Sequence, residues 1–453
     1  MIDLLIRNAW LYIDRGWEIP DGWIAISGGR VHGVGGPELP CPQARRVIDA
    51  RGRLVTPGLV NAHHHMWQNL TRAYAPVTRS TLFTWLEKLF PLWAMLDADA
   101  VYLATYVGMV ELLLGGCTTA MDQLYAHPVP GLTDAQFRAA RDVGLRFYAT
   151  RGSITRTVEE RGLAPAAIVQ DEETVLADCE RLVRLYHDPR PGAMGRVALG
   201  PAALYLVSER IMRESVIMAE RNNLRLHTHL AEDVDEDEYC LNVYGCTPTE
   251  YLEHLGWATP RTWLAHYIYA APTEIERLAR AGVAVVQCPG ADMLTGGGSA
   301  DATALRARGI HVGVGSNGPA SNDTASMWME TRNAMLLGRI QNGPESMGAR
   351  DALDMATRGS AACLGWADEI GHLCPGACAD LVVWHMSDVA LAGAVTDPVE
   401  AWLRCGPAVA HTTIVNGCVL VENCEPRQTG LADVLRAHAV QARRIQEAGR
   451  LND

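Results

Sequence analysis

Membrane-spanning and secretory features are missing from this sequence of 453 residues. No uninterrupted apolar run reaches the roughly 18 residues that a transmembrane helix needs. Residues 1–14 alternate like a strand, and they lack the basic start and the long apolar core of a signal peptide. We therefore expect no membrane among the partners of this protein.

Two further absences narrow the class of protein. The twelve cysteines have irregular spacings without the density of a disulfide scaffold, so we interpret them as reduced thiols of a cytoplasmic protein. A basic excess is also missing: the net charge of −13 argues against nucleic acid as a partner, because phosphate binding requires a basic face. With 48% hydrophobic and 20% charged residues, the composition is ordinary for a soluble globular enzyme.

Short segments punctuated by Gly and Pro predict β-strands at both ends of the chain. Those near the start cover residues 3–8, 23–27, 30–34 and 46–49, and those near the end cover residues 380–384, 411–415 and 418–421. The Asn416-Gly417 step between the last two is a hairpin signal. Two strand clusters at opposite ends of one chain can pair into a single small β-domain.

Between these clusters the sequence alternates strand and helix patterns. Eight strands are predicted, over residues 59–65, 118–123, 146–151, 196–200, 225–229, 262–267, 283–288 and 311–315. Helical stretches such as residues 98–114, 172–186 and 208–221 separate them. Eight strands with intervening helices predict an α/β fold, a (β/α)8 barrel of the TIM type. A doubly wound open sheet is the less favoured alternative, because no Gly-x-Gly-x-x-Gly follows an early strand.

Polar residues are concentrated at the predicted carboxyl ends of the barrel strands, where such barrels carry catalytic groups. They are His63, His65, Asp122, Arg151, His229, His266 and Asn317. His63 and His65 share one face of their strand, because alternate side chains of an extended strand point the same way, and His64 points to the other face. Two imidazoles on one strand face can hold one metal ion, and a histidine-rich turn is the alternative.

A second histidine pair ends the fifth predicted strand. His227 and His229 again share a face, and Glu232 follows three residues after His229. An acidic run begins at Glu232, and such runs commonly form solvated helix starts. We accept that interpretation for residues 235–238 and expect a functional role for Glu232, because of its spacing from His229.

These motifs make the chain similar to the amidohydrolase superfamily along nearly its whole length. It resembles the branch that deaminates or dechlorinates nitrogen heterocycles, and within that branch the 8-oxoguanine and isocytosine deaminases and the s-triazine hydrolases. The resemblance implies a small β-sandwich domain built from residues 1–56 and 374–430. It also implies a metal-dependent hydrolase barrel over residues 57–373 and a C-terminal helix over residues 431–453.

The resemblance further implies one divalent metal ion, with zinc preferred and iron as the other candidate. The implied metal positions are His63, His65, His229 and Asn317. Glu232 would shuttle protons between the attacking water and the heterocycle or its leaving group. His266 would polarise the attacking water or the substrate, and a structural role is the alternative for a lone histidine at a strand end.

Two positions depart from the family pattern. Asn317 stands where the family has a metal-binding catalytic aspartate, and an amide cannot act as a base at neutral pH. It is either an engineered replacement that traps a substrate complex or a native residue, since the triazine hydrolase branch tolerates a neutral residue here. We prefer the first interpretation because every other catalytic position is intact. Residues 288–293 also differ from the pattern Cys-Pro-Ser-Ser-Asn-Met, which indicates an unusual ring specificity.

Three residues are predicted from position to contact the substrate. The Gln68 amide can donate to and accept from an amide-like ring edge, and Trp85 can stack on a flat ring. Arg151 can meet a carbonyl group or an anionic ring. The alternatives are core packing for Trp85 and a structural ion pair for Arg151.

The expected function is that of a metal-dependent aminohydrolase, a cyclic amidine deaminase that releases ammonia from a purine, pyrimidine, pterin or triazine. Hydrolytic dechlorination or dealkylamination of an s-triazine is the alternative reaction and would use the same metal and proton shuttle. An inactive metal-bound binding protein is the alternative of another class, and only Asn317 favours it. The expected partners are a small heterocyclic substrate and further copies of the chain, in a homo-oligomer of two or more.

Overall fold

The computed structural model describes residues 1–449, and two sheets organise this part of the chain. The strands are β1 (Ile2–Asp14), β2 (Trp17–Ser27), β3 (Arg30–Gly35), β4 (Ala44–Asp49), β5 (Leu54–Pro57), β6 (Leu59–Asn61), β7 (Cys117–Leu124), β8 (Arg146–Ser153), β9 (Gly195–Pro201), β10 (Leu226–Leu230), β11 (Thr262–His266), β12 (Ala284–Gln287), β13 (Val312–Val314), β14 (Leu381–Trp384), β15 (Ala410–Val415), β16 (Cys418–Glu422) and β17 (Glu425–Pro426). The α-helices are α1 (Leu82–Trp93), α2 (Ala98–Leu114), α3 (Leu132–Val143), α4 (Glu172–Tyr186), α5 (Glu209–Asn222), α6 (Val234–Tyr244), α7 (Pro248–His254), α8 (Pro272–Ala281), α9 (Pro289–Thr295), α10 (Ala302–Ala307), α11 (Met327–Asn342), α12 (Ala349–Asp354), α13 (Ser360–Cys363), α14 (Pro398–Arg404) and α15 (Leu431–Gly449).

Strands from both ends of the chain form one mixed sheet, as the sequence predicted. Its order is β17-β16-β15-β14-β5-β1-β2-β3, and β4 pairs in parallel with β1. The two ends meet where β5 runs antiparallel to β14, with Val55 opposite Val383. β5 itself was missing from the predicted strands. The domain boundaries drawn from the resemblance stay a prediction.

The remaining eight strands are parallel and form the predicted (β/α)8 barrel. They follow one another in chain order from β6 to β13. Backbone hydrogen bonds from Ala62 N–H to the Val314 carbonyl and from Asn317 N–H to the His63 carbonyl join the last strand to the first. β6 ends at Asn61, earlier than predicted, because a 3-10 helix over Met66–Thr71 turns the chain away directly after His65.

Several helices begin at polar capping residues whose side chains accept backbone N–H groups. Asp97, Asp171 and Ser208 cap α2, α4 and α5, the three helices predicted in this region. The predicted C-terminal helix is present as α15, and residues 450–453 of that prediction lie outside the described residues. Among the described residues no helix has the length and apolarity to cross a membrane.

A buried ion pair ties the mixed sheet to the barrel. The guanidinium of Arg146, on β8, donates to both carboxylate oxygens of Asp380, which directly precedes β14, at 2.7 and 3.1 Å. Both side chains are at most 2% exposed. Asp380 also accepts the backbone N–H of Asn416 at 2.7 Å. Loss of the carboxylate would therefore leave a buried cation without a counter-charge, bonded only to the backbone carbonyls of Gly192 and Ala193, and would remove the acceptor of the Asn416 N–H.

We predict that Asp380→Ala lowers the free energy of unfolding by roughly 3–5 kcal/mol, the scale for breaking a buried ion pair. Denaturant unfolding of the purified variant measures this change. Asp433→Ala is the control, because its ion pair with Arg436 is more than 70% exposed on both sides and should contribute less than about 1 kcal/mol. Equal destabilisation by the two substitutions would contradict the prediction.

Candidate active site

Predicted site residues from several strands meet at the carboxyl ends of the barrel. The ring centroids of His63 and His65 lie 4.7 Å apart, and that of His229 lies 4.8 Å from the first and 5.3 Å from the second. One ring nitrogen of each histidine lies within 4.8 Å of the other two. His266 and Asn317 end or follow neighbouring strands beside them. The three predicted histidine ligands therefore form one buried cluster.

Backbone carbonyls fix the orientation of two of these rings. Nδ1 of His65 donates to the Gln123 carbonyl at 2.8 Å, and Nδ1 of His229 donates to the Ala202 carbonyl at 2.7 Å. With the ring proton held on Nδ1, each Nε2 carries a lone pair, and the two Nε2 atoms face each other at 3.3 Å. Two facing lone pairs repel each other unless a cation binds them, as in a metal site.

His227 orients the third ring, that of His63. Nδ1 of His227 donates to the Trp263 carbonyl at 2.9 Å, which leaves its Nε2 to accept from Nδ1 of His63 at 2.8 Å. Nε2 of His63 is then a buried lone pair without a hydrogen-bond partner among the described residues. The sequence showed that His227 shares a strand face with His229, but the pattern gave it no role. The structure shows that it sets the tautomer of a candidate ligand.

Burial keeps the clustered histidines neutral. It lowers the pKa of His229 to about 3 and the pKa values of His63 and His65 well below 6.5, and neighbouring imidazoles lower all three further. A neutral imidazole is the form that binds a metal ion. Three converging nitrogen donors fit a zinc-type ion, and a set of three protein ligands leaves a coordination position open, as in catalytic zinc sites.

Two other groupings at the same centre fit a cation less well. One combines His63 with His266 and Cys288, but burial raises the pKa of the Cys288 thiol well above 9, which keeps the thiol protonated. The other combines His229 with Glu232 and His266. Both ring nitrogens of His266 already face carboxyl groups, so neither is free for a cation. The three histidines at 63, 65 and 229 are therefore the preferred ligand set.

Glu232 and a second buried acid lie on opposite sides of the His266 ring. Nε2 of His266 is 3.4 Å from Oε1 of Glu232, and Nδ1 donates to Oδ1 of Asp292 at 2.7 Å. Burial lowers the pKa of His266, but the two carboxyl groups outweigh burial and raise it above 6.5. Burial raises the pKa of Glu232 to about 7, although His266 opposes the shift. A carboxyl group with a pKa near neutrality can both take up and release a proton.

A cavity with mainly apolar and aromatic walls opens onto this cluster. The polar residues that line it include His65, His229, Glu232 and Asn317. Its apolar and aromatic lining comprises Leu82, Trp85, Leu86, Tyr125, Ala202, Ala203, Tyr205 and Leu206. Such a lining suits a flat heterocyclic ring, which stacks on aromatic faces and is oriented by a few polar groups.

Two of the predicted substrate contacts, Gln68 and Trp85, line this cavity. Nε2 of Gln68 donates to Oη of Tyr125 at 3.0 Å, and Oε1 of Gln68 is buried without a hydrogen-bond partner within residues 1–449. Nε1 of Trp85 donates to the Ala320 carbonyl at 3.1 Å, which fixes the indole. Contact with a substrate stays a prediction for both residues.

The structure does not bring Arg151 to this cavity. Its guanidinium donates to Asp178 on α4 at 2.8 Å and to Gln170 at 3.0 Å, and it lines a separate depression. A buried guanidinium requires a nearby carboxylate, and Asp178 supplies it on the helix side of β8. Arg151 therefore has the structural ion pair that the sequence offered as the alternative. Asp122 is also structural, because it accepts the Met66 N–H and holds the turn after His65.

Several strand-end residues of the site have left-handed backbone conformations. The angle φ is +50° at Ala231, +70° at His266, +55° at Tyr267 and +54° at Asn317. Residues with a Cβ atom rarely adopt such angles, which cost on the order of 1 kcal/mol each, and asparagine tolerates them best. The Asn317 backbone is held on both sides, because its N–H donates to the His63 carbonyl and its own carbonyl accepts from Nδ1 of His64.

Comparisons with known proteins agree with this geometry. A model of the amidohydrolase family matches residues 54–418. The 8-oxoguanine deaminase of Pseudomonas aeruginosa is 40% identical over 440 residues, which are 96% of this chain and 98% of that protein. The hydroxydechloroatrazine ethylaminohydrolase of Pseudomonas sp. (strain ADP) is 35% identical over 433 residues, 94% of this chain and 87% of that protein. The crystal structure of an atrazine chlorohydrolase from Arthrobacter aurescens complexed with zinc has a TM-score of 0.92 at 34% identity, covering 97% of this chain and 100% of that one.

We predict one tightly bound divalent ion per chain, because three lone pairs converge in a buried site. Elemental analysis of the purified protein measures it. The double variant His63→Ala, His229→Ala should lose the ion. His127→Ala should keep it, because His127 is a buried histidine outside the cluster that bonds the Leu124 carbonyl. Full metal occupancy in the double variant would contradict the ligand assignment.

Proposed function

Since the chain belongs to the amidohydrolase family, we propose that it is a metal-dependent aminohydrolase that releases ammonia from an amino-substituted nitrogen heterocycle. The first candidate substrate is 8-oxoguanine or another purine of that size, on the strength of the 40% identical relative. One observation carries the proposal: histidines of the ligand cluster and the carboxyl group of Glu232 line the same aromatic cavity. Hydrolytic deamination needs these groups around one ring carbon.

The proposed reaction is a hydrolysis that exchanges the amino group for the oxygen of water. That oxygen bonds to the ring carbon, and one proton of the water goes to a ring nitrogen. The second proton passes from the added oxygen to the amino nitrogen, and the bond between the carbon and that nitrogen then breaks to release ammonia. Glu232 is placed to take a proton from the water and to deliver one to the ring nitrogen. A divalent ion held by the three histidines would supply Lewis acidity.

Zinc is the ion that we propose. The donor set consists of three neutral imidazoles, which suits zinc, and iron is the other candidate. The similar atrazine chlorohydrolase structure holds zinc, which supports the choice. His266 is proposed to polarise the attacking water or the substrate, because its Nε2 faces Glu232 and has no hydrogen-bond partner among the described residues.

We propose that the substrate ring is recognised by stacking on aromatic side chains and by a hydrogen bond from its amide-like edge to Gln68. Trp85, Tyr125 and Tyr205 line the cavity and offer aromatic faces to a flat ring. Gln68 lines the cavity, and its Oε1 has no protein donor but packs against Gly318. A rotation of the amide would let it accept an N–H group of a lactam-like ring edge. A bicyclic purine with an amide edge has both features.

Hydrolysis of an s-triazine is the second candidate. The observation that favours it is the neutral Asn317 at the end of the eighth barrel strand, together with 34–35% identity to two triazine-converting enzymes. The leaving group would then be an alkylamine or chloride. The same ligand cluster and Glu232 would serve, because only the leaving group differs.

A product-release screen separates these candidates. The metal-loaded enzyme would be offered 8-oxoguanine, guanine, isocytosine and a pterin, with ammonia as the readout. Hydroxylated and chlorinated triazines would be offered in parallel, with alkylamine and chloride as the readouts. We expect the highest kcat/KM for an amino-substituted purine. Turnover of triazines alone would move the assignment to the second candidate, and turnover of none would refute both.

We predict that Glu232→Gln lowers kcat on the identified substrate by at least ~10²-fold, the usual scale for general acid–base groups, while KM changes little. Glu238→Gln is the matched control, because Glu238 lies in the same acidic run but is exposed. Steady-state kinetics of both variants measure kcat and KM. A Glu232→Gln variant with near wild-type kcat would rule out the proton shuttle.

The structure gives a reason to propose that Asn317 is native. The buried site already holds the carboxyl groups of Glu232 and Asp292 around His266. A third carboxylate would repel these two in a medium of low polarity and raise their pKa values. We therefore predict that Asn317→Asp leaves kcat similar or lowers it. An increase of orders of magnitude would instead identify Asn317 as the replacement of a catalytic aspartate.

We further propose that the protein acts in the cytoplasm as a homo-oligomer of two or more chains. All twelve cysteines are free of disulfide bonds, which is typical of reducing compartments. Met329, Leu336 and Ile340 expose apolar surface along α11, which suits contact with a second copy. Light scattering of the purified protein measures the number of chains.

A further inference from the structure

One buried acid of the site has no role in the mechanism above. Asp292 is 2% exposed, and its Oδ1 accepts the Nδ1 proton of His266 at 2.7 Å. Its second oxygen, Oδ2, is buried without a hydrogen-bond partner among residues 1–449. The side chain that this carboxylate bonds is that of His266, and its other hydrogen bond is with the Cys288 backbone. An effect on the reaction would therefore pass through the His266 ring.

The segment that carries Asp292 is held rigidly. The carboxyl group of Glu330, on α11, accepts the Gly290 N–H at 2.7 Å with Oε2 and the Asn322 side-chain amide at 3.1 Å with Oε1. A Cβ atom on Gly290 would lie 2.4 Å from Oδ1 of Asn322, so only glycine fits this close approach. Asp292 is thus presented to His266 from a fixed backbone.

The contact decides which ring atom of His266 faces the reaction. Because Nδ1 is occupied by Asp292, only Nε2 can face another group, and it lies 3.4 Å from Oε1 of Glu232. Without Asp292 the ring could rotate or change its tautomer, and Nε2 would lose this orientation.

We propose that Asp292 is a positioning residue for the deamination: its carboxylate fixes the His266 imidazole so that Nε2 faces Glu232. The inference rests on the proposed function, since Glu232 is the proposed proton shuttle. The contact with the ring is made by Oδ1, so the hydrogen-bond acceptor at Oδ1 is the part of Asp292 that the proposal requires. An asparagine can supply the same acceptor, and an alanine cannot.

Three variants test the proposal by steady-state kinetics. Asp292→Ala should lower kcat by ~10²-fold with KM within about threefold of wild type, because the loss affects proton transfer more than binding. Asp292→Asn should restore kcat to within about tenfold of wild type, because its amide oxygen can accept from Nδ1. The double variant Asp292→Ala, His266→Ala should be no slower than His266→Ala, because Asp292 acts only through the His266 ring, which is already absent.

A matched control neutralises a buried carboxyl group outside the site. Glu274 is 8% exposed, and it accepts the Thr247 hydroxyl and the Ala271 N–H at the start of α8, contacts that the amide of Glu274→Gln can replace. This variant does not touch His266 and should keep kcat within about threefold. Metal content by elemental analysis should be unchanged in all single variants, which separates positioning of His266 from loss of the ion.

A proton resonance tests the contact without any turnover. The Nδ1 proton of a histidine bonded to a carboxylate resonates far downfield, and it should be present in the wild type and in Asp292→Asn. It should be absent in His266→Ala and Asp292→Ala. Its absence from the wild type, additive effects in the double variant, or kcat in Asp292→Asn as low as in Asp292→Ala would overturn the proposal. If the wild type turns over no heterocycle, the proposed function fails, whereas the resonance still decides whether Asp292 holds His266.

Discussion

Hydrogen bonds from imidazole Nδ1 atoms to backbone carbonyls are the constraint on which the rest of the site depends. The acceptors for His65, His227 and His229 are carbonyls at 123, 263 and 202, which belong to other strands of the barrel or follow them. Strand register therefore decides which nitrogen of each ring holds its proton. A shift of one residue in a strand would reverse side-chain direction and destroy the convergence of the three Nε2 lone pairs.

Charge in the buried site is concentrated around one ring. Burial raises the pKa values of Glu232, Glu236 and Glu330, which favours their neutral forms, and it lowers those of the clustered histidines. His266 is the exception, because two carboxyl groups flank it and raise its pKa. The low polarity of the buried site makes an isolated charge costly. It also strengthens the interactions of the His266 ring with Glu232 and Asp292.

Local sequence pattern predicted the barrel strands and the strand clusters at both ends, because these depend on residue type and spacing, and the resemblance to the family implied the three histidines that the structure brings together. Three features depend instead on contacts between distant segments, and no local pattern reveals them. The tautomer role of His227 requires the Trp263 carbonyl, the contact of Asp292 requires the last residue of β11, and the ion pair of Arg151 requires Asp178. The early end of β6 follows from the turn after His65. Left-handed angles at His266 and Tyr267 were equally hidden, since no glycine or other turn signal marks either position.

The mixed sheet has a consequence for how the chain matures. β1 to β5 emerge from the ribosome first, but the edge of β5 is covered only by β14, more than 300 residues later. Until residues 381–384 are synthesised, that edge exposes unpaired backbone groups of a hydrophobic strand, which is a hazard for aggregation. The pairing of β5 with β14 is slow, because the long chain between them must lose conformational entropy before the two strands make contact. A chain that ends before residue 381 therefore cannot close this sheet.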